Sequence, residues 1–320
     1  MRKPLICVVL LLIVTVLGFS AGEGEGAEYP TRAVSYVIPF NPGGQSDVMA
    51  QYQKPYLEDE LGVDVVIRHQ AGAGGAVAWA NTVKARPDGY TVVGNNVPHI
   101  IIQPLVRDDA GYETDDLKPV YLFQSTPIAL VVAPDSPFET LEDFIAYAEE
   151  NPEALTISGS GTHTGHHLAA LQLEHLSGAS FTYIPATGAA PSVSNFLGGH
   201  TDALLANSTD LIGHEQQMKV LAIGTERRFA SLPDVPTFIE LGYQMTAGID
   251  RGVAVPPDTP DEIVAVIEAA FEAVSTNERF VSEMEDLGFV IHAIGAAGFA
   301  EYIDEKAEEI ETVLRELGEL

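Results

Sequence analysis

The chain has 320 residues, 46% of them hydrophobic, with 29 glycines, which suits an α/β globular protein with material for two cores. Its 46 acidic residues against 16 basic ones give a formal net charge of −30 and a pI near 4.4, which argues against nucleic acid and anionic membrane surfaces as partners, since both need basic patches. The acidic residues are spread over predicted helix faces, which reads as a solvated surface adapted to high salt.

Arg2 and Lys3 precede an apolar run from Leu5 to Phe19, and small residues follow to Ala27. That order is the charge, core and cleavage region of a secretory signal peptide, and the run is short of the roughly 20 apolar residues of a membrane span. Residues 1–27 are therefore read as signal peptide and short leader. The single cysteine, Cys7, lies inside the run, so the mature chain has no thiol for a disulfide, a metal or a nucleophile. The mature protein is expected to be exported and soluble.

Val34 to Ile38 reads as a strand, and the stretch Pro39 to Asp47 (PFNPGGQSD) turns it into a helix over Asp47 to Leu61, with Pro55 expected to kink or split it. In that turn Pro42 fixes one φ, Gly43 and Gly44 permit positive φ, and Ser46 or Asp47 can cap the helix. Free backbone N–H groups at a helix start suit a carboxylate or phosphate. The plainer alternative is a glycine turn with a helix cap. A second strand (63–67) enters the glycine loop 69–75 and a helix over 76–85. A third strand (90–93) ends at Gly94 to His99. This alternation predicts a parallel sheet.

Val120 to Ala133 holds two apolar runs broken by Ser125-Thr126-Pro127, a crossing between domains. Thr140 and Asp143 form a capping box for a helix to Asn151. Strand 155–158 leads into Gly159 to His167 and a helix to Ser177. Strand 181–184 leads into Pro185 to Pro191 and a helix over 192–197. Strands over 203–206, 220–223 and 252–255 follow. Helices begin at Thr259-Pro260-Asp261-Glu262, read as cap, proline and capping carboxylate, span 279–287, and close the chain over about 299–317.

Four glycine-containing loops, each between a strand and a helix, are what a cleft between α/β domains requires. A dinucleotide site does not fit. Gly72-x-Gly74 meets Val77 where a third glycine belongs, and Gly159-x-Gly161 meets Thr164. No cofactor is expected. His163, His166 and His167 leave open an exported hydrolase or metal-dependent enzyme, but no carboxylate is near in sequence, and polar lining or capping explains them better. No G-x-S-x-G elbow is present.

PFNPGGQSD (39–47), QAGAGG (70–75), RPDGYT (86–91), SGSGTHTGHHLA (158–169), IPATGAAPSVSNFLGGHTDA (184–203), LAIGTERR (221–228) with LPDVPTFIELGY (232–243), and GVAVPPDTP (252–260) resemble, in order, the solute-binding proteins of tripartite tricarboxylate transporters, the Bug-type receptors. The resemblance implies a two-domain α/β periplasmic-binding-protein fold, type II-like, with a ligand cleft between domains. It implies a receptor that is not an enzyme, binding a small carboxylate of the di- or tricarboxylate class and passing it to membrane transporter subunits, as a monomer. Domain 1 is expected at 28–124 plus 250–320 and domain 2 at 125–249. Matching positions imply ligand contacts from Pro42, Gly43, Gly44, Gln45, Ser46, Asp47, Ala73 and Gly74 on one side, where Asn96 is also expected to contribute. On the other they imply Ser160, Gly161, Thr162, His163, Thr164, Thr187 and Gly188, largely through backbone amides and water, with no metal. Gln45, Asn95 to His99 and the histidine-rich loop depart from the common pattern.

Overall fold

The computed structural model describes residues 29–320, so the expected signal peptide and Cys7 lie outside the described residues. The chain begins with β1 (Val34–Ile38), α1 (Gln45–Leu61), β2 (Val65–His69), α2 (Ala76–Val83), β3 (Thr91–Val97) and α3 (His99–Val106). The long strand β4 (Lys118–Val132) follows. Then come α4 (Leu141–Glu150), β5 (Thr156–Gly159), α5 (Gly165–Ser177), β6 (Thr182–Pro185), α6 (Ala189–Leu197), β7 (Ala203–Asn207), α7 (Ser208–Gly213) and β8 (Lys219–Ile223). The chain returns through β9 (Gly248–Val255), α8 (Asp261–Ser275), α9 (Glu278–Asp286), β10 (Val290–Gly295) and α10 (Ala296–Glu316).

The strands pair in the order β2-β1-β3-β9-β4-β7-β5-β6, with β10 and β8 also on β4. The flanks β2/β1/β3 and β7/β5/β6 are parallel, as strand-loop-helix alternation demands. The centre is not: β4 and β9 are antiparallel to each other and to their neighbours, so the expected parallel sheet becomes a mixed one. Ser125-Thr126-Pro127 does not break β4. Pro127, which has no N–H to give a ladder, sits where β4 exchanges β9, last paired at Pro127↔Gly248, for β7, first paired at Ile128↔Asn207.

Alternation along β4 sends Ile128, Leu130 and Val132 into a cluster with Phe144 and Leu173, and Ala129 and Val131 into another with Val193 and Phe196. In the same way Val34, Tyr36 and Ile38 pack with Met49, Leu57 and Phe271, while Val37 packs with Trp79, Ile101 and Phe299. Both faces of the sheet are thus covered by helices, which explains the nearly unbroken apolar run of β4.

Three expectations about helices are corrected. The first helix runs unbroken through Pro55; Pro55 and Gln51, whose carbonyl the proline leaves unbonded, are both exposed, so water can satisfy that group. Neither Ser46 nor Asp47 is its N-cap, which is Gly44. Thr259 donates to Pro256 O and does not cap α8. The Thr140–Asp143 capping box forms as read.

Candidate ligand-binding cleft

All the glycine loops lie beyond the C-terminal ends of parallel strands, where open α/β sheets hold ligands. The β1–α1 and β2–α2 loops face the β5–α5 and β6–α6 loops across a cavity of about 610 Å³, walled by Ala71 to Gly75, Ser160 to His163 and Pro185 to Thr187, with Gln103 and Arg107 at one side. Ala73 (φ 48°) and His163 (φ 55°) are non-glycine residues in the left-handed region, one from each side of the cleft. Such conformations cost free energy and persist where the surroundings fix them. Among the described residues, the N–H groups of Gly161, Thr162 and Thr187 donate to no other protein group, which leaves donors on one wall.

Side chains tie the walls together. Asn41 Nδ2 donates to Thr187 O (3.0 Å), Gln103 Nε2 to His163 O (2.8 Å), and Gln45 Nε2 to Asp210 Oδ1 (2.7 Å). Asn207 Nδ2 donates to Gln45 Oε1 (3.2 Å). Gln103, Asn207 and Asp210 were not among the residues singled out by sequence. Asn207 and Asp210 form the capping box of α7, and the N-x-x-D spacing was a usable signal for both that helix and this contact.

Deeper in the cleft a chamber of about 30 Å³ is lined by Gly44 to Asp47, Asn96, His99, His166 and Arg251, and it shares Phe40, Asn41 and Ser160 with the larger cavity. Asp47 Oδ2 accepts from the Gly43 N–H (2.8 Å) and Oδ1 pairs with His69 Nε2 (2.8 Å). Burial works against that carboxylate, but the bonds from Gly43, His69 and Gln51 outweigh it and hold its pKa below the ordinary value. The Gly43 amide, expected to be free for a ligand, is thereby taken. Arg251 is 4% exposed, and burial brings its pKa down only to about 10, so it stays charged at neutral pH.

Burial, then the Arg251 charge, pushes His166 down to about 3; burial, then His163, pushes His167 down to about 4; burial also lowers His99. These rings are neutral in the fold but protonate near pH 6.5 when unfolded. Unfolding therefore takes up protons, and the stability they hold is complete above about pH 6.5 and falls as pH drops toward 4 and 3. Each ring contributes a slope of up to about 1.4 kcal/mol per pH unit, which for His167 fades toward pH 4 and for His166 toward pH 3. Urea unfolding between pH 6.5 and 4 is expected to show this decline, flattened in His166→Asn. Parallel profiles for variant and wild type would contradict it.

The profile described as Tripartite tricarboxylate transporter family receptor (TctC) matches residues 49–319. The chain belongs to this receptor family. Protein BugT of Bordetella pertussis is 30% identical over 264 residues, 80% of this chain and 81% of BugT. MatC (Rpa3494) from Rhodopseudomonas palustris with bound malate superposes with a TM-score of 0.84 at 26% identity, over 89% of this chain and all of that one. R. palustris Rpa4515 with adipate gives 0.86 at 25% identity, over 91% and 98%. The two-domain periplasmic-binding-protein fold and the reading as a receptor and not an enzyme therefore stand.

Of the expected contacts in this receptor, Ala73, Gly74, Ser160, Gly161, Thr162, His163 and Thr187 wall the larger cavity, and Gly44, Gln45, Ser46, Asp47, Asn96, Ser160 and Gly188 the inner chamber. Pro42, Gly43 and Thr164 do not line either. Thr164 is fully buried, its hydroxyl donating to Gly161 O (2.9 Å) and accepting from His167 N, so it shapes the loop and caps α5. The three histidines do not converge on one point, although the His163 and His167 rings stand 5.7 Å apart. His166 turns inward to Ser160, while His167 Nδ1 accepts from His163 N (3.3 Å) with its ring beside Tyr183. Among the described residues no group of three His, Cys, Asp or Glu side chains is placed to hold a metal. Phe40, Asn41 and His99 were not among the expected contacts, although Phe40 and Asn41 lie in the 39–47 turn; His166, read as polar lining or capping, does line the inner chamber, and Arg251, which reads as an exposed cation, joins it there.

Proposed function

We propose that this receptor, exported from the cytoplasm, captures a small di- or tricarboxylate between its two domains and delivers it to a tripartite tricarboxylate-type membrane transporter. The observation that carries the reading is the set of unpaired N–H groups at Gly161, Thr162 and Thr187 on the wall of a cavity closed from the far side by Gly72 to Gly75. Backbone donors stabilise a carboxylate by charge-assisted hydrogen bonds without needing cations, which are scarce here. The malate and adipate named for MatC and Rpa4515 support the same ligand chemistry. The domains divide as residues 28–124 plus 250–320 and 125–249, and they move as a monomer about hinges near 124–127 and 247–252. A thermal-shift screen of mono-, di- and tricarboxylates tests this. A ligand at 100 times its dissociation constant adds about 2.7 kcal/mol, enough for a clear shift. No shift with any carboxylate would contradict the reading.

A further inference from the structure

We infer that the inner chamber is an oxyanion subsite in which Arg251 selects ligands carrying a second negative group. This rests on the proposed function above and adds which end of the ligand goes where. Arg251 comes from β9 at the base of the cleft. Its Nε donates to Ser46 Oγ (3.2 Å), and a terminal nitrogen donates to Ile249 O (3.1 Å) and to Thr126 Oγ1. All three acceptors are neutral. The two carboxylates that act on it from further off are committed elsewhere: Asp210 accepts from Gln45 and Asn207, and Asp250 accepts from Ser125 and Tyr302.

Polar groups able to donate stand around this cation, in a lining completed by Phe40, Ala189, Ala190, Pro191 and Ile249. Ser46 Oγ accepts both from Arg251 and from Asn96 Nδ2 (3.1 Å), so its own hydrogen is left to donate onward. The Ser160 N–H donates to His166 Nδ1 (3.2 Å), which places the proton of the neutral ring on Nε2, and that atom is buried without a partner. His99 Nδ1 is likewise buried and unpartnered. Asp47 also lines the chamber, but its oxygens are engaged by Gly43, Gln51 and His69. A water bridges donors with acceptors, whereas an oxyanion accepts only, and a guanidinium fork matches a carboxylate. A volume of about 30 Å³ takes one such group. The rest of the ligand must extend into the larger cavity past Phe40, Asn41 and Ser160. Short dicarboxylates fit this division; their monocarboxylate analogues leave the chamber unfilled.

The test is calorimetric titration of the mature protein with succinate, malate and adipate, each beside its monoamide. Wild type is expected to prefer a dicarboxylate over its monoamide by at least about 100-fold, and Arg251→Gln, with folding checked by circular dichroism, to bring that ratio below about tenfold. If Arg251→Gln does not fold, Ser46→Ala keeps the cation and is expected to lower the ratio several-fold. Binding of the dicarboxylates with the ratio unchanged in the folded variants would overturn the subsite alone. Absence of binding by any of these acids to wild type would overturn the subsite together with the dicarboxylate reading beneath it.

Discussion

Gly74→Val is expected to abolish ligand capture while the protein stays folded. Gly74 has φ +63°, and a Cβ there would stand 2.1 Å from Gln103 Nε2 and 3.4 Å from Thr162 O. The side chain would displace the amide that holds His163 O across the cleft, and a left-handed φ adds about 1–2 kcal/mol of strain for an L-residue. Losing both the alignment of this loop and the tie to the facing one should weaken binding by more than about 100-fold, equivalent to about 2.7 kcal/mol. The apolar clusters lie behind the loop, so circular dichroism should be unchanged. Titration showing affinity within tenfold of wild type would contradict this. Gly44 serves as the contrast. Its φ of −82° and ψ of 170° are open to any residue, and an added Cβ would find its nearest neighbour, Asn41 O, only at 4.0 Å. The expectation that both glycines of the first loop need positive φ holds for Gly43 (φ +86°) alone.

Gly252→Val should instead cost the fold. Leu122 and Gly252 are register partners in the β4–β9 ladder, and a Cβ at Gly252 would meet Tyr121 O at 2.3 Å and the Phe299 ring at 2.5 Å. The first is backbone fixed by the ladder, the second a fully buried ring packed between sheet and α10. Overpacking a core costs about 1–3 kcal/mol and more where backbone must move. With both obstacles rigid, a loss of at least about 3 kcal/mol is expected, a large share of the roughly 5–15 kcal/mol typical of native proteins. The urea midpoint should fall sharply in Gly252→Val; an unchanged midpoint would show that β4 and β9 can separate without penalty.

The sequence made the strand-loop-helix units plain because glycine, proline and capping residues act locally. PFNPGGQSD, the 70–75 loop and the Thr140 capping box all appear where their chemistry puts them. What it hid depends on distant chain. The centre of the sheet is antiparallel because β9 returns between β3 and β4, a pairing over more than a hundred residues that no local pattern encodes. Helix α3 follows directly on a strand through Pro98, and its run His99 to Val106 reads equally as buried strand or buried helix. Arg251 resembles any solvated basic residue in an acidic chain until β9 places it under α1. His166, read as one of a cluster, turns inward to Ser160 and lines the inner chamber, while the His163 and His167 rings stay beside each other, 5.7 Å apart, with His167 against Tyr183.

On the proposed function, the free backbone amides of Gly161, Thr162 and Thr187 hold the ligand in a cleft closed from the facing side by the 70–75 loop. Amide hydrogen exchange of the mature protein with and without a saturating dicarboxylate tests it most directly, since exchange reports the protection of individual segments. The predicted result is slowed exchange in both 70–75 and 160–164, with 186–188 following and the core strands unchanged. Protection confined to one side of the cleft, or appearing only in segments away from these loops, would contradict it.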